Sequence, residues 1–136
     1  MIPLCVDQGV GVIPWSPLAR GRLTRDWEES TARSETDEFG KHLYQPDDRV
    51  IVERVAEIAD GRSVPRAQVA LAWMLGKHPF VVPLFGTTKL SHLEEDLRAA
   101  DFTLTPDETA ELEAKVSAFP VVGDRYDAMQ QERVEY

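Results

Sequence analysis

The sequence predicts an α/β fold built around a buried parallel sheet, and three observations carry that expectation. Residues 10–14 (Val-Gly-Val-Ile-Pro) and 80–84 (Phe-Val-Val-Pro-Leu) are short, β-branched and apolar almost throughout, the pattern of strands covered on both faces. A long stretch containing helical periodicity separates them, as a parallel crossover requires. The chain has 136 residues, 43% of them hydrophobic and 29% charged, enough apolar material for one sizeable core but hardly two.

In chain order, residues 2–8 read as the last turns of a helix, closed by Gly9 in the left-handed conformation. Cys5 lies in that apolar stretch and reads as a core residue. The first strand follows at residues 10–14. Residues 18–45 are polar and aperiodic, with Arg20, Arg22, Arg25 and Arg33 scattered among acids, and read as one long excursion of the kind that often serves function. Pro46, Asp47 and Asp48 then open a helix reaching about Asp60, with Val50, Ile51, Val55, Ile58 and Ala59 at helical spacing and Gly61 as its stop.

Ser63 and Pro65 mark the next helix start, and Gly76 its end. Its body, residues 67–75, is apolar nearly all round, so it should be sandwiched between other elements. After the second strand, Ser91 and Glu94 have the spacing of a capping box for a helix reaching Ala100, with Leu93 and Leu97 as its apolar stripe. Thr105, Pro106 and Glu108 open a last helix by the same device. It carries Ala110, Leu112, Val116 and Phe119 and ends at Pro120. Residues 1–119 form the domain, and residues 120–136 are a polar tail of no assigned structure.

Twenty-four acidic and 15 basic residues give a net charge of -9, the wrong sign for neutralising nucleic-acid phosphates, so no nucleic-acid partner is expected. The longest wholly apolar run, residues 69–75, is far short of a membrane span, and the first residues lack a signal-peptide pattern. One cysteine excludes an intrachain disulfide and a multi-cysteine metal site, so no metal is assigned, and a reducing cytoplasm is the expected compartment.

Two strands of this buried type need further strands at their edges, and the sequence contains none. Ligands of parallel α/β folds sit beyond the C-terminal ends of the strands, and two unusual segments occupy those ends. Trp15-Ser16-Pro17-Leu18-Ala19-Arg20-Gly21 offers an aromatic face, a hydroxyl and a glycine-containing loop. From position alone, Trp15 serves equally as a core residue or as a platform for a flat ring. Gly86-Thr87-Thr88-Lys89 precedes a helix, where backbone N–H groups, two hydroxyls and an ammonium can converge on a phosphate or simply cap the helix. Neither segment matches a P-loop or the Gly-x-Gly-x-x-Gly fingerprint.

Three ordered segments carry a resemblance. Residues 9–21 (Gly-Val-Gly-Val-Ile-Pro-Trp-Ser-Pro-Leu-Ala-Arg-Gly) resemble the seventh strand and following loop of aldo-keto reductases, in the branch that includes potassium-channel β subunits. Residues 66–75 resemble the helix before that family's eighth strand. Residues 85–89 and 92–97 resemble the NADP-binding turn and helix after it. The resemblance covers about residues 2–119 and implies the C-terminal portion of a (β/α)8 TIM barrel, namely its last two strands with their helices, missing the N-terminal half as a partner.

By that resemblance, Trp15 stacks on the nicotinamide ring of NADP, while Ser16, Pro17, Leu18, Ala19 and Gly21 line the pyrophosphate path and Arg20 adds a phosphate contact. Gly86, Thr87, Thr88 and Lys89 surround the adenosine 2′-phosphate, with His92 beside it and Glu95 and Asp96 facing adenine. NADP is expected over NAD because those donors would otherwise lack a partner. Three positions depart from the family: His92 replaces the usual Arg or Gln, Asp96 replaces an Asn, and Arg25-Asp26-Trp27 stands where relatives carry Gly-Lys-Tyr. Asp96, when ionised, accepts hydrogen bonds but donates none.

The family reduces an aldehyde or ketone using an Asp, Tyr, Lys and His tetrad, which precedes the matched region. His42, His78, Lys41, Lys77, Tyr44 and Tyr126 do not align with it, so no catalytic residue is assigned here. The expected function is NADPH-dependent carbonyl reduction, in which this chain supplies cofactor binding. The alternative is a truncated, non-catalytic nucleotide-binding or interaction fragment.

Overall fold

A computed structural model of the chain describes residues 1–118 and 131–132. Seven α-helices occur among them: α1 (Ile2–Gln8), α2 (Ala32–Thr36), α3 (Glu38–Leu43), α4 (Arg49–Arg62), α5 (Arg66–Lys77), α6 (Leu90–Leu97) and α7 (Pro106–Ser117). Phe119, Pro120 and nearly all of the tail lie outside the described residues.

Helix α5 is the centre of the packing, touching α4, α6 and the 3-10 turns at Ala19–Thr24 and Arg98–Asp101. Ala67 through Ala72 are all buried on it, the sandwiched position its sequence implies. Val69 meets Val55, Ile58 and Ala59 of α4 and Leu112 of α7, and Leu23, Val64, Trp73, Phe102 and Leu104 close around that cluster. Each fully buried Val, Ile or Leu side chain here stabilises the fold by about 1.5–3 kcal/mol. Val50 and Ile51 are only half-buried, while Val52 joins the buried side of α4.

The two apolar runs do pair, and they pair in parallel, through isolated bridges between Val12 and Val81 and between Trp15 and Leu84. Val12 donates to Phe80 O at 2.9 Å, Val82 donates to Val12 O at 2.9 Å, and Leu84 donates to Pro14 O at 3.1 Å. The next bond of a parallel ladder would be donated by residue 14, a proline with no N–H. A continuous ladder is therefore interrupted at its middle, and no sheet forms among the described residues.

Burial on both faces is not observed. Val81 is buried and Val12 is half-buried, but Ile13, Val82 and Leu84 are each more than half exposed on the opposite side. The helices cover only one face of the pair.

Several local expectations need correction. Residues 18–45 are not one irregular excursion: Thr31 and Asp37 cap α2 and α3, accepting hydrogen bonds from the backbone N–H groups of Ser34 and Gly40. Helix α4 passes Gly61 and stops at Ser63, which is its left-handed cap and not the start of α5. Helix α5 passes Gly76 to Lys77, and Pro65 stands at its N-cap. Ser91 and Glu94 form no capping box because α6 begins earlier, at Leu90. That helix ends at Leu97 and continues as a 3-10 turn, and Leu93, Leu97 and Val116 are exposed while Asp96, Ala99 and Leu112 are buried. Cys5 is half-buried on a helix with no buried residue, so it is not core. Gly9 (φ 63°) and the Thr105–Glu108 box take the roles expected of them.

Candidate functional site

The parallel register decides where the two candidate segments lie. Because Trp15 bridges Leu84, the chain leaves both runs at the same end, bringing the turn after Pro14 beside the turn after Leu84. Trp15 lies on the uncovered face with Ile13, Val82 and Leu84 and is 66% exposed, so among the described residues its indole is not core.

Beyond it the backbone coils tightly. Ser16, Ala19, Arg20 and Gly21 all have positive φ (58°, 49°, 54° and 87°). For the three non-glycine residues this conformation costs about 1–2 kcal/mol each. Ala19 donates to Ser16 O and Gly21 to Leu18 O, both at 2.9 Å. Pro17 is buried beneath the turn, whereas Ser16, Leu18, Ala19, Arg20 and Gly21 are half-buried along its surface.

The strained turn is held from outside. Arg20 donates from Nε and Nη2 to the two carboxylate oxygens of Asp37, at 2.5 and 2.7 Å, and its guanidinium carbon lies 5.8 Å from the centre of the Trp15 ring. Arg20 holds the Asp37 carboxyl down at about 2, helped by the Gly40 N–H and opposed by burial. The same hydrogen bond raises the guanidinium pKa of Arg20. Arg25 donates to the carbonyls of Gly21 and Glu29, Arg22 rests over Trp27, and Arg66 at the start of α5 pairs with Asp26 at 2.6 Å. Burial, then the neighbouring Arg22, lowers the pKa of Arg25. Sequence reasoning missed Asp37; its signal was an Asp three residues before Gly40, the pattern of a helix cap.

The second turn is open. Gly86, Thr87, Thr88 and Lys89 are exposed, and the Thr87 hydroxyl accepts from the Lys89 N–H at 3.1 Å. Helix α6 has no side-chain cap and no acid in its first turn, so its N-terminal dipole is not offset by a side chain of that turn. Further along, His92 is exposed, Glu95 half-buried and Asp96 buried, with the Gln68 amide donating to Glu95 O at 2.9 Å. Burial, then the adjacent Glu95 charge, raises the Asp96 carboxyl, and His92 opposes the shift.

This arrangement can present an aromatic plate and a cationic wall to a flat ring, and hydroxyls, an ammonium and a helix N-terminus to an anion. A cavity of about 390 Å³ lies elsewhere, between α5 and α7, lined by Trp73, Lys77, Phe102 and Glu113 among others. Among the described residues no cluster is placed to hold a metal ion, and no helix is long and apolar enough to cross a membrane.

Residues 1–117 match the model of the aldo/keto reductase family. Versiconal hemiacetal acetate reductase of Aspergillus parasiticus is 42% identical over 118 residues, which are 83% of this chain and 34% of that protein. A putative aryl-alcohol dehydrogenase of Schizosaccharomyces pombe is 39% identical over 127 residues, covering 91% of this chain and 36% of its own length. Among solved structures, a thermostable aldo-keto reductase crystallised with the inhibitor epalrestat superposes with a TM-score of 0.57 at 24% identity, over 84% of this chain and 32% of its own. The chain belongs to the aldo/keto reductase family, and it spans about a third of the length of the curated relatives it matches.

Proposed function

We propose that this chain is the cofactor-gripping, C-terminal part of an NADPH-dependent aldo-keto reductase that reduces an aldehyde or ketone. The observation that carries the reading is the parallel register of Trp15 with Leu84, which sets an exposed indole and the Gly86–Lys89 turn at one end of the pair. In this reading Trp15 supports the nicotinamide ring, and the backbone of Ser16 to Gly21 follows the pyrophosphate. Thr87, Thr88, Lys89 and the start of α6 receive the 2′-phosphate, and Glu95, Asp96 and His92 border adenine. The open, uncapped start of α6 fits an anionic group, and the exposed indole fits a flat ring. When bound, the cofactor supplies the hydride. The Asp, Tyr, Lys and His that position the carbonyl and deliver the proton belong to a complementary barrel segment, which also covers the bare face of Ile13, Val82 and Leu84. The half-buried free thiol of Cys5 suits a reducing compartment such as the cytosol.

Two measurements test this. NADPH titrated into the chain should be bound more tightly than NADH. Joined to the N-terminal two thirds of a family relative, the chain should oxidise NADPH in the presence of a simple aldehyde. Binding without turnover in the joined protein would favour a non-catalytic nucleotide-binding fragment; absence of binding in folded protein would reject the cofactor reading.

A further inference from the structure

Arg20 and Asp37 are 17 positions apart, yet they form the best-shielded ion pair of the excursion, with side chains only 20% and 11% exposed. Both partners are fixed. Asp37 caps α3 through the Gly40 N–H at 3.0 Å, so it cannot follow Arg20 away from this position without uncapping that helix. Arg20 has a left-handed backbone in a turn with three other positive φ values, a conformation that persists only where surrounding contacts over-determine it.

A guanidinium whose Nε and Nη2 are both committed to a carboxylate is charge-neutralised and poorly disposed to clamp a phosphate. It also stands against Trp15. Its carbon is 5.8 Å from the indole centre, while two thirds of the tryptophan surface remains open.

We propose that Asp37 is a positioning residue for the nicotinamide ring: by gripping Arg20 it holds a guanidinium wall against Trp15 and keeps the indole's open surface set for the ring. This rests on the cofactor reading above, and it gives Arg20 a different task from the phosphate contact that the resemblance implies. Asp37 itself touches no substrate or cofactor. Its influence passes through Arg20 to Trp15.

The test uses the full chain and the variants Asp37→Asn, Asp37→Glu, Arg20→Met and the double variant Arg20→Met/Asp37→Asn. Without ligand, the Arg20 Nε–H should give a slowly exchanging NMR signal that Asp37→Asn removes and Asp37→Glu partly restores. With ligand, Asp37→Asn should weaken NADPH and NADH by the same factor, about tenfold, because the ring end is common to both. Arg20→Met should weaken both equally, and adding Asp37→Asn to it should change nothing further. If Asp37→Asn fails to fold, Arg20→Met alone carries the ligand test.

Selective tightening of NADPH by Asp37→Asn would show that release from Asp37 turns Arg20 into a phosphate ligand, and would overturn the proposal. Unchanged binding in that variant, or an equal loss in the Arg20→Met background, would overturn it too. Lack of NADPH binding by the wild-type chain would reject the cofactor reading together with this one. Wild-type binding with unaffected variants would reject this one alone.

Discussion

The backbone N–H of Leu84 donates to the carbonyl of Pro14 at 3.1 Å, and this bond joins the ends of the two runs just where each turns away from the pair. Pro14 offers a carbonyl but no N–H, so the pairing is one-sided at that point. Both chains are thereby free to diverge one residue later, Trp15 toward its coiled turn and Phe85 toward the start of α6. The candidate site is a consequence of that divergence.

Lys89 stands at the N-cap of α6 with its side chain exposed, and no acid in the first turn competes for its charge. Replacing it with Ala should weaken NADPH by about tenfold, the equivalent of one charge-assisted hydrogen bond. NADH affinity should be untouched. Paired titrations at two salt concentrations check this, and the NADPH loss should shrink at high salt because an exposed charge is screened.

Much of this was legible in the sequence because the signals were local. Gly9 closes α1, the Thr105–Glu108 box opens α7 and residues 67–72 of the apolar body of α5 are buried, with 73–75 half-buried; each depends on a few neighbouring residues. What escaped was set by distant contacts. Nothing near Arg20 announces Asp37, 17 positions away, and the local patterns around Ile13, Val82 and Asp96 give no sign that the first two are exposed and the third buried. Ser91 shows the reverse failure: a correct spacing lost because α6 starts two residues earlier than a Ser91 cap would set it.

Asp96 is a buried carboxylate whose pKa is raised by that burial and then by Glu95. A folded-state pKa above the unfolded one means that the charged form is disfavoured by folding. The fold therefore gains stability as pH falls through the raised folded value toward the unfolded value near 4. Asp96→Asn should be more stable than wild type at pH 7, with the advantage fading toward pH 4, as urea midpoints at the two pH values would show. On the cofactor reading proposed above, the variant also offers a donor toward adenine, so NADPH should bind more tightly.

Thr105 and Glu108 cap α7 reciprocally, and Glu108 also takes both of its oxygens to Arg62, at 3.0 and 3.1 Å. Thr105→Ala should cost about 1 kcal/mol in urea unfolding. The Thr105 N–H, with burial opposing and Arg62 helping, holds the Glu108 carboxyl below its usual range. Its stabilisation is thus present above the unfolded pKa, near 4.3, and disappears as pH falls through the folded value. Glu108→Gln should remove that acid-side slope, so wild type and variant should converge in stability as pH is lowered.

Ile13, Trp15, Val82 and Leu84 alternate outward along the paired runs, while Val12 and Val81 face the helices. An exposed apolar row beside unpaired backbone is a template for association with other chains. The chain should therefore self-associate at micromolar concentration, and Ile13→Lys/Val82→Lys should return it to a monomer in sedimentation velocity without loss of helical circular dichroism. Lysine at buried Val81 has no such escape and should unfold the chain. If the outward row is the seat of a complementary barrel segment, the Ile13→Lys/Val82→Lys chain should fail to restore activity when joined to one, even though it folds. A lysine pair that leaves both association and restored activity intact would show that this face is not where the rest of a reductase packs.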